Sequence, residues 1–294
     1  MTRLRIGIDL GGTKIEGVIL DERNHPLRRE RIATESERGY DHILARVAAV
    51  AEPLLREAAE CETVGVGTPG AVSARTGLLK NSNTVCLNGR DLPGDLARRL
   101  GRRIVVENDA NCFALAEANA GAGQGAPVVF GVIMGTGVGG GLVVAGRLHR
   151  GPQHIAGEWG HHSIDPAGPV CYCGQRGCVE CYISGPAVEE AYRSRTGKVL
   201  RMADIVIGAR ERDADAQAVF AAFIDRFGRA VANLISILDP DVVVFGGGLS
   251  NIEELYTAGR AAIARYVFND ELRTELRRNQ LGDSAGVIGA ALLA

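Results

Sequence analysis

The sequence predicts an α/β protein built from two lobes, and three observations carry that expectation. Apolar runs of strand length alternate with segments of helical period, which places helices on the faces of a mixed sheet. The 294 residues suffice for one large α/β domain or for two lobes of about 150 residues each. A strand, glycine turn, strand unit opens the chain and recurs after Pro127.

Arg5 to Leu10 and Ile15 to Leu20 read as strands around a Gly11-Gly12 turn, with Glu30 to Ala33 as a third. Tyr40 to Glu60 carries Ile43, Leu44, Val47, Val50, Leu54 and Leu55 at helical spacing, and Thr63 to Gly67 is a short apolar strand before Thr68-Pro69-Gly70. Asp91 to Leu100 reads as a helix, Ile104 to Glu107 as a strand and Asp109 to Asn119 as a helix. Small, glycine-rich and proline-containing, Ala120 to Pro127 marks a lobe boundary. Val128 to Met134 then begins the second cycle, followed by the turn Gly135 to Gly141 and a strand, Leu142 to Ala145. Helices are expected over Ala214 to Leu238 and Ile252 to Val267, a buried strand over Val242 to Phe245 before Gly246-Gly247-Gly248, and a small-residue helix over Ala285 to Ala294. The expected lobes are 1–120 with 283–294, and 121–282.

Composition narrows the function. A net charge of -2, from 33 basic and 35 acidic residues, provides no footprint for nucleic acid or for an anionic membrane, so neither is an expected partner. No apolar run reaches membrane-spanning length and the N-terminus lacks a cleavable apolar core, so a cytoplasmic location is expected. Of seven cysteines, Cys171, Cys173, Cys178 and Cys181 fall within eleven residues, which suits a metal site better than disulfides. Cys61, Cys86 and Cys112 are expected as buried small hydrophobes.

The 39 glycines exceed the roughly 21 that ordinary usage of about 7% gives, and three clusters of them directly follow predicted strands. A phosphate chain needs close backbone N–H groups, which glycine permits by its size and by positive-φ conformations. Neither the Walker pattern nor GxGxxG opening a helix is present. A tight hairpin is the alternative for any single cluster.

DLGGTK at 9–14, ENDANCFALAEA at 107–118, GTGVGGG at 135–141, GEWGHH at 157–162, CYCGQRGCVE at 171–180 and LDPDVVVFGGGLSN at 238–251 resemble the motif set of the ROK family. That family contains bacterial sugar kinases and sugar-responsive repressors on the actin, hexokinase and heat-shock ATPase fold. The resemblance runs from residue 5 to the GDSAG at 282–286. It implies a two-lobed fold with ATP in a cleft between the lobes. Gly11, Gly12, Thr13 and Lys14 would form the first phosphate turn, and Gly135, Thr136, Gly137 and Gly139 the second. Gly247 and Gly248 would lie near the adenosine. Asp9 would orient Mg²⁺ through water, the alternative being an Asp that caps the strand turn.

Asp109, read alone, is a helix N-cap; the resemblance makes it the general base that takes the hydroxyl proton, with Asn108 holding a sugar hydroxyl. Glu158, His161 and Glu180 carry over as sugar contacts, joined by Gly70 and Asn88; read alone, both glutamates are solvated surface charges. His161, Cys171, Cys173 and Cys178 match the family's structural Zn²⁺ ligands. Cys181 and His162 depart from the usual pattern and offer alternative ligands, and a reduced cluster without metal is a further alternative.

The expected activity is therefore ATP-dependent phosphorylation of a hexose at its 6-hydroxyl by a homodimeric enzyme. The 77–92 stretch and the GDSAGVIGAALL ending resemble the fructokinase and mannokinase branch, which puts fructose first. GTGVGGGL and CFALAEA equally resemble the N-acetylglucosamine kinase branch, the runner-up, with a broad hexokinase or glucokinase beside it. A repressor of this family carries an extra N-terminal DNA-binding helical domain, and Met1 lies four residues from the first strand. A catalytically inactive sugar binder is disfavoured because Asp109 and all three turns are present.

Overall fold

The computed structural model describes residues 4–294, and the chain divides into two units. One holds the chain up to Gln124, Gly146–Ala156 and Gln280–Ala294; the other holds Gly125–Ala145 and Gly157–Asn279. The expected boundaries missed the return of Gly146–Ala156 to the first unit. Side-chain contacts make that return: Asn119 Nδ2 donates to Gly146 O at 3.1 Å, and Arg150 pairs with Glu107.

The first unit opens with β1 (Arg5–Leu10), β2 (Lys14–Leu20) and β3 (Pro26–Ala33), the last longer than expected because its exposed half is charged. Helix α1 (Tyr40–Glu57) follows, then β4 (Thr63–Thr68), the two-residue strands β5 (Ala71–Val72) and β6 (Leu79–Lys80), α2 (Leu92–Leu100), β7 (Arg103–Asn108) and α3 (Asp109–Ala120). The sheet order is β3-β2-β1-β4-β7, antiparallel through β1 and parallel from β1 to β7. Ile6, Ile8, Val64 and Val66 from the strands meet Ile43, Val47, Val50 and Leu54 of α1 in one core.

In the second unit β8 (Val128–Met134) and β9 (Val138–Val144) form a hairpin whose turn is only Gly135 to Gly137. The expected turn was longer; Gly139, Gly140 and Gly141 are strand residues paired with Ile133, Val132 and Gly131. After β10 (Arg147–Leu148), which belongs to the first unit, come α4 (Glu180–Ile183), α5 (Gly185–Thr196), α6 (Met202–Arg210), α7 (Ala214–Leu238), β11 (Val242–Gly246), α8 (Ala258–Tyr266) and β12 (Glu275–Arg278). β9, β8, β11 and β12 are neighbours in that order. Helix α7 lays Phe223, Phe227, Val231 and Ile235 into the second core. The helix expected over Ile252 to Val267 is broken: Tyr256 donates its hydroxyl to Ser250 O at 2.8 Å and packs on Phe245, and α8 starts only beyond it.

The chain returns to the first unit as α9 (Ala285–Ala291). It lies backbone to backbone on the sheet: a β-carbon on Gly65 would stand 1.8 Å from Ala290 O, and one on Gly7 2.3 Å from Ala291 N. On its other side Gly289 meets α3, where a β-carbon would stand 1.8 Å from Cys112 O. Glu117 of α3, fully buried, accepts from Ala122 N at 2.8 Å, Gln280 N at 3.1 Å and Leu281 N at 2.9 Å, and so ties down both stretches where the chain leaves and re-enters this unit. Backbone amides thus stand in for a counter-cation. Gly65→Ala is expected to lower stability by at least about 2 kcal/mol, because a rigid backbone must shift to admit one methyl; an unchanged urea midpoint would refute this contact.

Candidate active site

The first glycine turn is closed by Gly11 N–H donating to Lys14 O at 3.0 Å. Thr34, fully buried at the end of β3, clamps it from outside: its hydroxyl donates to Gly11 O at 2.7 Å and its N–H to Thr13 O at 3.0 Å. Thr34 was not foreseen, since a lone threonine ending a strand carries no motif. Asp9, at the end of β1, is pushed up to about 6 by burial first and the Asp109 charge second, with Lys14 and Arg31 pulling it back. A carboxyl so raised is one that a nearby cation would stabilise.

At the β7–α3 junction Asn108, not Asp109, is the N-cap: its Oδ1 accepts from Ala110 N at 2.9 Å and Asn111 N at 3.4 Å. Its Nδ2 donates to Gly70 O at 3.1 Å, which joins two of the expected sugar residues. With the cap supplied by its neighbour, Asp109 stands exposed in the first helical turn, where the helix dipole favours a carboxylate. Asn88 bonds to neither Asn108 nor Gly70; its amide accepts from Ser82 N at 2.8 Å and donates to Ser82 O at 2.9 Å. It fixes the loop beside Gly70. Cys61 and Cys112 are buried as expected, whereas Cys86 is half-buried.

In the second unit the other two glycine turns end adjacent strands, since Gly246 of β11 pairs with Ile133 of β8. Of the glycines in all three turns only Gly247 takes a left-handed φ, 77°, and a β-carbon there would also stand 2.3 Å from Met134 O. Positive φ therefore accounts for Gly247 alone; a β-carbon would crowd Glu180 at Gly137 and Phe130 and Trp159 at Gly140, whereas Gly135 and Gly248 face open space. Glu180 accepts from Val138 N at 2.8 Å and holds the turn that contains Gly137. Trp159, the single tryptophan, donates to Gly139 O at 2.9 Å and packs edge-on against Phe130, fixing the segment that bears Glu158 and His161 to β9. Glu158 is exposed.

His161, Cys171, Cys173 and Cys178 present four donor atoms all within 4.8 Å of one another. Cys173 and Cys178 sulfurs stand 3.6 Å apart, and His161 Nδ1 lies 3.6 Å from Cys171 Sγ. A tetrahedral ion with bonds of about 2.3 Å to sulfur needs ligand separations of about 3.7 Å, so this set fits zinc. The alternatives do not join it: His162 bonds to Trp159 O through Nδ1 and lies 3.4 Å from Asn233 Nδ2 through Nε2, and Cys181 is outside the group. The other nitrogen of His161 faces the Tyr172 hydroxyl at 3.0 Å.

The arrangement offers an exposed proton acceptor, a carboxyl that favours a cation, glycine turns in both units and a soft four-donor metal set. Because the folded Asp9 pKa, about 6, exceeds its ordinary value of 3.8, its charge costs stability above pH 6 and nothing below pH 3.8. Asp9→Asn should therefore stabilise the protein at pH 8 by roughly 1–3 kcal/mol, with a melting-temperature gain that shrinks toward pH 4; a gain that grows on acidification would contradict this.

The chain is 37% identical to an N-acetyl-D-glucosamine kinase of Histophilus somni, over 98% of this chain and 97% of the relative. It is 36% identical to an N-acetylgalactosamine kinase of a Shewanella species, over 98% and 95%. Among solved structures it is similar to the ROK hexokinase of Thermus thermophilus, with a TM-score of 0.90 and 34% identity over 99% of this chain and 98% of that one. It is also similar to a ROK family glucokinase of Streptomyces griseus in complex with glucose and AMPPNP, with a TM-score of 0.77 and 31% identity over 99% of both chains. The family model described as ROK matches residues 5–294. This chain belongs to the ROK family.

Proposed function

We propose that this protein transfers the γ-phosphoryl group of ATP to the 6-hydroxyl of an N-acetylhexosamine, N-acetylglucosamine first. The coarser statement stands without the proposal: the chain is an ATP-dependent sugar kinase. One observation supports the choice of sugar. Relatives of 37% and 36% identity, matched over nearly their whole length, are named for two different acetamido sugars. The fructose preference expected from residues 77–92 gives way to this, because the relatives matched over nearly the whole chain are named for acetamido sugars.

In this reading Asp109 accepts the proton of the 6-hydroxyl as that oxygen attacks the γ-phosphorus and the bond to ADP breaks. Asn108 and Gly70 shape the wall beside it, and Glu158, His161 and Glu180 contribute sugar contacts. The three glycine turns hold the nucleotide. Mg²⁺ on the phosphates would neutralise the developing charge, with Asp9 as the carboxyl that orients it. Zinc on His161, Cys171, Cys173 and Cys178 would be structural, since four protein donors leave no open position. Seven cysteines with no disulfide among them suit a reducing, cytoplasmic compartment.

Kinetics across N-acetylglucosamine, N-acetylgalactosamine, glucose, mannose and fructose should give the highest kcat/KM for N-acetylglucosamine, and a maximum for fructose would overturn the choice. Asp109→Asn should cut kcat by about 10² to 10⁴ with binding of both substrates nearly intact. Metal analysis should find one zinc per chain, and chelation should weaken sugar binding before nucleotide binding; full activity in a zinc-free preparation would remove the metal.

A further inference from the structure

Glu107, next to last in β7, is only 8% exposed, and the reading above gives it no task. Its two oxygens hold different things. Oε1 accepts from Asn108 N and from Asn111 Nδ2, both at 2.9 Å, and so grips the junction on which Asp109 stands. Oε2 accepts from Arg150 Nε, and among the described residues Arg150 is the only cation paired with this carboxylate. Arg150 comes from the Gly146–Ala156 segment that returns to the first unit, and its side chain is 38% exposed.

A buried carboxylate stripped of its counter-ion is strongly unfavourable, and it relaxes by turning toward water or by taking a proton. Either response would loosen the grip of Oε1. We propose that Arg150 is a positioning residue for phosphoryl transfer: by neutralising Glu107 it keeps that carboxylate locked on Asn108 and Asn111, and so holds Asp109 in place. This rests on the reading of Asp109 as proton acceptor. Arg150 itself accepts no proton in the reaction and acts through Glu107 alone.

The test uses the whole protein with whichever sugar the wild type prefers, measuring kcat and both KM values. Arg150→Gln should lower kcat about 10- to 100-fold, the scale at which small misplacements act on a reacting group, with KM for ATP within about twofold. Arg150→Lys, which keeps the cation, should stay within about fivefold of wild type. Charge compensation makes a sharper demand on Glu107→Gln combined with Arg150→Gln: removing the stranded charge should restore kcat at least about threefold above Arg150→Gln alone. A purely structural contact would not be repaired by a second loss. Wild-type kcat in Arg150→Gln, or a double variant whose loss is the product of the two single losses, would overturn the proposal. Full turnover in Asp109→Asn would instead overturn the base assignment, so the two failures are distinguishable.

Discussion

The backbone-to-backbone seating of α9 on β1 and β4, with α3 pressed on its other side, is the constraint around which the first unit is organised. No side chain fits at Gly7, Gly65 or Gly289, so the helix and the sheet approach as closely as their main chains allow. That closeness fixes the line of α3, whose first residue is Asp109, against the strands that end in Leu10 and Thr68. Interiors are close-packed and transmit small displacements. A shift of α9 would therefore be passed directly to the carboxylates at the strand ends.

The same unit holds three buried acids, Glu16, Glu107 and Glu117, beside the half-buried Asp9, and they differ in how each is satisfied. Glu16, 2% exposed, is met by Arg31 and Arg29 from the adjacent strand. Glu107 has Arg150 and two amides, and Glu117 has three backbone N–H groups. Asp9 alone among these four has no hydrogen bond or ion pair among the described residues, and its neighbours act on it only through space. Burial and repulsion on the fourth are what a positive ligand would relieve, in keeping with the role proposed for Asp9.

Much of this was legible in the sequence. The strands over Arg5–Leu10 and Val128–Met134 and the helix over Ala214–Leu238 have the expected bounds, because apolar period and capping agree there. Spacing alone pointed to a metal site among Cys171, Cys173, Cys178 and Cys181, and the choice of His161, Cys171, Cys173 and Cys178 came from the family resemblance; these four side chains do lie together. Less legible was what depends on partners far along the chain. Asp109 and Asn108 are adjacent and both can cap, so only the coordinates assign the cap to Asn108. Asn88 carries no sign in the sequence that Ser82 engages both ends of its amide. β12 reads Glu-Leu-Arg-Arg, with no apolar alternation, and exists only because β11 offers it a parallel edge. Glycine was misread in part: the surplus that pointed to phosphate turns also serves the contacts at Gly7, Gly65 and Gly289.

The first unit is discontinuous: β1 to α3 form its body, yet Glu117 and Gly289 bind it to segments beyond residue 279. Synthesis at about 5–20 residues per second therefore produces the second unit before the first can be finished. Until residues 280–294 have been made, α3 lacks the helix it packs on, and the Glu117 carboxylate lacks two of its three amide donors. The amino-terminal strands must wait on the ribosome as a partly covered sheet while some 155 intervening residues are added, and the proposed base falls into place among the last events of assembly.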